Sequence, residues 1–175
     1  MPGSAAYERS VSVTPMTRRD PIDGAHRQWV KNGWSSAADG MASVTRLVRV
    51  NQIAVGHIDR LLKPHELTFA RFEVLRLLAF ARGGTLPMGR LGALLQVHPA
   101  SVTHAVGRLE SAGLVNRQPN PADQRSTLAS ILPAGRTAVE AATEDLNEFF
   151  ADVSTVPDLD TLRNALLAVE AKCIR

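Results

Sequence analysis

The sequence predicts an α+β fold that is mostly helical, with one pair of strands set between long runs of helix. Three observations carry the prediction. Aromatic residues make up 5% of the 175-residue chain and hydrophobic residues 45%, so Leu, Ala and Val supply the core, a bias that suits helices better than a sandwich of strands. Apolar residues recur at threes and fours along most of the chain and change to a strand period only after Gly113. Charged residues at 21% are ordinary for a globular protein, which excludes wholesale disorder and fibrous repeats.

The elements follow in order. Residues 1–19 are polar, carry Pro2 and Pro15, show no period and are read as a tail. A first helix opens with Asp20 as N-cap and Pro21 at the first position, and runs through Trp29 to about Gly33. A longer helix spans about Asp39 to Lys63, with Val44, Leu47, Val48, Val55, Ile58, Leu61 and Leu62 as its apolar positions and Pro64 as its end. Thr68 is the expected N-cap of a third helix whose apolar face is Phe69, Phe72, Leu75, Leu78 and Ala79, and Gly83-Gly84 stops it.

After Leu86-Pro87 come a short helix with Met88, Leu91, Leu94 and Leu95, a turn at Gln96-Val97-His98, and a helix opened by Pro99. That last helix, to about Ser111, buries Val102, Val106 and Leu109 and turns Ser101, His104, Arg108 and Ser111 outward, with Gly113 capping its end. This is a helix-turn-helix. Two strands follow, Leu114 to Gln118 and Arg125 to Ile131, around the turn-rich Pro119 to Gln124. Helical period resumes beyond Pro133-Ala134-Gly135 and continues to Pro157. The final helix places Leu159, Leu162, Leu166, Val169 and Cys173 at the spacing of a short coiled-coil seam.

A helix-turn-helix followed at once by a basic hairpin is a winged helix. A helix of this size fits the major groove of B-DNA, and a two-stranded wing with an arginine near its tip reaches the adjacent minor groove. Charge agrees with this order. Residues 1–59 hold seven Lys/Arg against five Asp/Glu, residues 60–125 hold nine against four, and residues 126–175 hold four against eight. The +3 net charge therefore conceals a basic middle and an acidic C-terminal part. Four segments are expected: the tail 1–19, N-terminal helices 20–63 including a dimerisation helix, the winged helix 64–135, and C-terminal dimerisation helices 136–175.

Other chemistries find little in the sequence. The single cysteine, Cys173, excludes an intramolecular disulfide and a Cys-based zinc cluster, and on an apolar seam it reads as a small hydrophobe. His26, His57, His65, His98 and His104 form no metal-ligand spacing, so no metal and no cofactor are expected. There is no nucleophile elbow, phosphate loop or dinucleotide fingerprint, so no enzymatic activity is expected. With no apolar core behind a basic segment near Met1, and no apolar run of about eighteen residues, a cytoplasmic chain without a membrane span is expected.

From about Asp39 to Lys172 the chain resembles the MarR-type (multiple antibiotic resistance regulator) transcriptional regulators. The resemblance is carried by Ala100-Ser-Val-Thr-His-Ala-Val-Gly-Arg-Leu-Glu-Ser-Ala-Gly-Leu-Val115 and by Asp123-Gln-Arg125 followed ten residues later by Gly135. It implies that Ser101, Thr103, His104 and Arg108 lie on the DNA-facing side of the recognition helix. Arg125, with Gln124 beside it, would enter the minor groove, and Asp123 would orient the wing arginine by a charge-assisted hydrogen bond. Leu132 stands where the family usually has a capping Thr, so that helix start is expected to lack a side-chain cap. The recognition helix carries one full positive charge, Arg108, with His104 where members often have Arg or Asn. DNA affinity is therefore expected to lean on the wing, on Arg90 and Arg117, and on helix N-termini.

The additional N-terminal helix with Trp29 resembles the urate-responsive branch of the family. Glu73 stands where that branch has Asp, and Ala105 where it has Arg. Trp29 and Trp34 read either as residues that pack the first helix on the dimer or, for Trp29, as a ligand contact. Resemblance and apolar patterning imply a homodimer on pseudo-palindromic double-stranded DNA, more often a repressor. Release would follow binding of a small, aromatic effector in a crevice walled by Trp29, Ile58, Phe72, Glu73 and Arg76. The alternative is a winged helix that contacts protein rather than DNA.

Overall fold

The computed structural model describes residues 20–174, apart from the side chain of Gln124. The expected tail, 1–19, lies outside the described residues. The chain forms two compact units that divide inside the long second helix, between Ile53 and Ala54.

In the first unit, α1 (Pro21–Lys31) starts as its sequence dictates: Pro21 needs no donor at the first position, and Asp20 Oδ1 accepts from the Ile22 amide at 2.9 Å. Arg46 then reaches Asp20 at 2.7 Å and Asp23 at 3.1 Å. The second helix, α2 (Ser35–Leu62), begins four residues before the expected Asp39. Gly33, at φ +86, reverses the chain so tightly that the Trp34 amide bonds back to the Trp29 carbonyl, and Ala37 bonds to Trp34 in the first turn of α2. The run Ser35-Ser36-Ala37-Ala38 shows no apolar period, so this first turn was invisible to patterning. Trp29 and Trp34 meet edge to face, with centroids 5.4 Å apart.

The second unit is built around α3 (Phe69–Phe80), which buries Phe72, Val74, Leu75 and Leu78. It packs against α5 (Pro99–Ser111) and α6 (Pro133–Val153), with α4 (Met88–Leu95) completing the helix-turn-helix and α7 (Leu159–Cys173) closing the chain. Leu62, Leu91, Val106, Leu109, Val139 and Leu146 join this core fully buried. Each such side chain contributes about 1.5–3 kcal/mol of burial.

Thr68 does not cap α3 as expected; Asp59, ten residues upstream, accepts from the Phe69 amide at 2.7 Å. A cap donated from another helix leaves no local signature. The sheet also differs from the expected hairpin. Strands β2 (Val115–Asn120) and β3 (Asp123–Ile131) pair as read, but β1 (Thr85–Pro87) adds antiparallel to β3, giving the order β1-β3-β2. Three residues ending in proline are too short to show alternation; what ties them in is the register Thr85 opposite Ser130, whose hydroxyls lie 2.8 Å apart. Helix α6 starts at Leu132 without a side-chain cap, as its sequence implied. Cys173, expected on an apolar seam, is exposed in this chain, as are Leu162 and Leu166 of the same helix.

Candidate nucleic-acid interface

Helix α5 owes its position to its inner face: Val102, Ala105, Val106 and Leu109 are buried. Its start is fixed twice, by Pro99 and by His98 Nδ1, which accepts from the Ala100 amide at 3.2 Å. Its end is fixed by Gly113 at φ +70, which lets the Leu114 amide return to the Leu109 carbonyl at 3.0 Å. Between these stops Ser101, Thr103, His104 and Arg108 are all exposed. Thr103 spends its hydroxyl on the Pro99 carbonyl at 3.0 Å. Among the described residues Ser101, His104 and Arg108 have no side-chain hydrogen-bond or ion-pair partner, so their polar atoms are available to a ligand.

A groove of about 610 Å³ runs along this face, lined by Thr68 and Arg71 at the start of α3 and by Ser101, His104 and Arg108 on α5. Arg90, also exposed, lies in the first turn of α4.

The wing is tied by its own short polar side chains. Asn120 Oδ1 accepts from the Ala122 amide at 3.0 Å, its Nδ2 donates to Ser126 Oγ at 2.8 Å, and Ser126 Oγ donates to the Asp123 carbonyl at 3.0 Å. Asp123 Oδ1 accepts from the backbone amide of Arg125 at 3.0 Å. Through this bond Asp123 holds the wing backbone from which Arg125 projects. Arg125 is exposed and unpaired among the described residues. The side chain of Gln124 lies outside the described residues.

Arg117, expected among the DNA contacts, has a carboxylate partner. Glu110, at the end of α5, accepts from the Arg117 backbone amide at 3.1 Å, from Nε at 2.8 Å and from the terminal nitrogen at 2.5 Å. The hydrogen bonds from Arg117 hold the Glu110 carboxyl below its usual range, and the same contacts push the Arg117 guanidinium up. Arg117 therefore joins strand β2 to the recognition helix, with Glu110 as its counter-charge. The seven-residue separation hides this pair in sequence, because only the reversal at Gly113 brings the two side chains together.

The residues expected to wall an effector crevice fall in both units. Trp29 belongs to the first unit; Ile58 and Phe72 are buried in the core of the second. Glu73 is partly buried, and desolvation raises its carboxyl above the usual range. Arg76 donates to the Val139 carbonyl at 2.7 Å and to Thr143 Oγ1, and its guanidinium stands 5.1 Å from the Phe80 ring and 5.9 Å from the Phe72 ring. Its Nε is buried without a partner among the described residues, and desolvation lowers the guanidinium from its ordinary value. The described residues hold no group of three metal-ligating side chains, and no helix among them is long and apolar enough to cross a membrane.

A recognition helix with an open polar face, a preceding helix and a side-chain-braced basic hairpin define the class: a winged helix-turn-helix protein. The MarR family model matches residues 67–127. The crystal structure of Sco5413, a MarR family transcriptional regulator from Streptomyces coelicolor, is 40% identical, with a TM-score of 0.66 over 78% of this chain and 94% of that one. The chain belongs to the MarR family of transcriptional regulators; these relatives are regulators, not enzymes. A MarR mutant from E. coli, solved in complex with operator DNA, is 29% identical, with a TM-score of 0.63 over 73% of this chain and 93% of that one. CouR from Rhodococcus jostii RHA1, solved bound to p-coumaroyl-CoA, is 25% identical, with a TM-score of 0.59 over 70% and 87%. Among curated proteins, an uncharacterised HTH-type transcriptional regulator of Mycobacterium leprae is 32% identical over 92 residues, 51% of this chain; the match spans 64% of that relative's length.

Proposed function

We propose that the protein is a homodimeric regulator that binds pseudo-palindromic double-stranded DNA, represses transcription there and is released by a small aromatic effector. The observation that carries this reading is the outer face of α5, where Ser101, His104 and Arg108 stand exposed and unpaired beside a wing bearing Arg125. The hydroxyl and imidazole suit base edges in the major groove, and the guanidinium of Arg125 suits the negative minor groove. The likeness to the E. coli protein solved with operator DNA supports the same reading.

A second copy supplies the partner for apolar side chains that each unit leaves exposed: Val44, Leu47, Val48 and Ile53 on α2, and Leu162, Leu166 and Leu167 on α7. A two-fold dimer then sets two recognition helices about one helical turn, or 10 base pairs, apart. The effector part draws on the likeness to CouR and on the partly buried Glu73 and Arg76 in the second unit. An effector releases DNA only by binding the non-operator conformation more tightly.

Footprinting on the DNA upstream of the protein's own gene, with and without aromatic acids, tests the reading. A symmetric protected site whose affinity falls steeply with salt is expected. Absent or salt-insensitive binding to any duplex overturns it in favour of a winged helix that docks protein.

A further inference from the structure

Resting on that DNA-binding reading, we infer that the start of α3 belongs to the DNA-contacting surface, with Arg71 acting as a backbone-phosphate contact alongside the recognition helix. Arg71 lies in the first turn of α3, some thirty residues before α5 in sequence, yet both line the 610 Å³ groove. Its Nε donates to Thr68 Oγ1 at 3.2 Å. That single bond orients the guanidinium and leaves the two terminal nitrogens, the fork that fits a phosphate, without a partner among the described residues.

The surroundings favour an anion. Two guanidiniums, an imidazole and two hydroxyls line the groove, and no carboxylate does. The nearest acid on α5, Glu110, is committed to Arg117. Because the groove flanks the face that would enter the major groove, the duplex backbone at the groove's edge is the polyanion that passes Arg71. Arg108 and Arg71 then grip the strand from two different helices. Such a contact carries register and affinity but no sequence information.

The test is a titration of Arg71→Gln on the footprinted site and on an unrelated duplex across several salt concentrations. Losing one phosphate contact lowers the slope of log K against log salt by about 0.9, which is a five- to sixfold loss of affinity at about 0.15 M salt. The loss is expected to be equal on both duplexes, and Arg71→Lys is expected to keep the wild-type slope. In that lysine variant, bound duplex protects Lys from acetylation, a readout that does not require the Gln variant to fold. If wild-type protein binds DNA while Arg71→Gln keeps its affinity and slope, or the introduced lysine acetylates equally with and without DNA, the inference fails while the function stands. If wild-type protein shows no salt-dependent binding, both fail. Competition by inorganic phosphate at constant ionic strength that is lost in Arg71→Gln, with DNA affinity unchanged, would mark a small-anion site and overturn the inference.

Discussion

Gly135 offers the sharpest test of how the wing is attached to the core. It sits in the first turn of α6, a position where exchanging Gly for Ala ordinarily stabilises a helix by about 1 kcal/mol. Packing reverses the sign. Gly135 is buried, and a β-carbon placed on it would fall far inside van der Waals contact of the Leu114 carbonyl oxygen, 3.0 Å from the carbonyl carbon and 3.1 Å from Ile131 Cγ1. The obstacle is main chain, which cannot turn aside as a side chain can. The same carbonyl accepts from the Leu132 amide at 2.9 Å, the bond that joins the start of α6 to the end of the recognition-helix turn.

Gly135→Ala therefore sets an overpacking penalty near 3 kcal/mol and a lost hydrogen bond near 1 kcal/mol against a helix gain of about 1 kcal/mol. The net destabilisation is about 3 kcal/mol. For a chain of this size that lowers Tm by roughly 6–12 °C, measured by thermal denaturation at fixed protein concentration. Gly107→Ala is the control: it lies in α5 with open space around its α-carbon, so its Tm is expected to hold or rise. A Gly135→Ala protein that melts at or above the wild-type temperature would refute the argument.

Three further outcomes are expected. Arg125→Ala weakens operator binding by about 1–3 kcal/mol with a shallower salt dependence, read by titration; unchanged affinity and slope would remove the wing from the interface. Glu110, whose carboxyl is held below the ordinary value by Arg117, contributes stability that is present above that ordinary value and lost as pH falls through the lower folded value. Denaturation midpoints of Glu110→Gln should therefore lie below wild type at neutral pH and converge with it in strong acid. Glu73 has the opposite sign: burial raises its carboxyl, so ionisation opposes folding as pH rises from the ordinary value through the folded one. Glu73→Gln should gain stability over wild type at pH 7 relative to pH 4, and an equal difference at both would contradict the burial argument.

Which of these features could be read in advance depends on how local their causes are. The recognition helix was legible because every signal that bounds it, Pro99, the apolar positions Val102, Val106 and Leu109, and Gly113, lies within the element or two residues beyond its end. The first turn of α2 was not, since Ser35 and Ala37 carry no pattern and only the reversal at Gly33 starts the helix. Asp59 as the cap of α3, and β1 as a third strand, are pairings made from one element to another, and no residue within α3 or β1 announces them.

The same distinction governs charge. Summed along residues 60–125, nine cations stand against four anions, a total that says nothing of which arginines carry a partner. Folding sorts them. Arg117 is paired with Glu110, and Arg76 is turned inward onto Val139 and Thr143. Arg71, unremarkable in sequence, is left beside Arg108 in the groove. A polyanion responds to cations that are at least partly exposed and free of carboxylate partners, so the basic excess of the segment matters less than the subset the fold leaves in that state among the described residues, which includes Arg71, Arg108 and Arg125. If that selection is right, the salt slopes lost in the three single variants add to that of the triple variant, because separate phosphates release separate counterions. A triple variant no shallower than Arg125→Ala alone would show that the wing carries the electrostatics by itself.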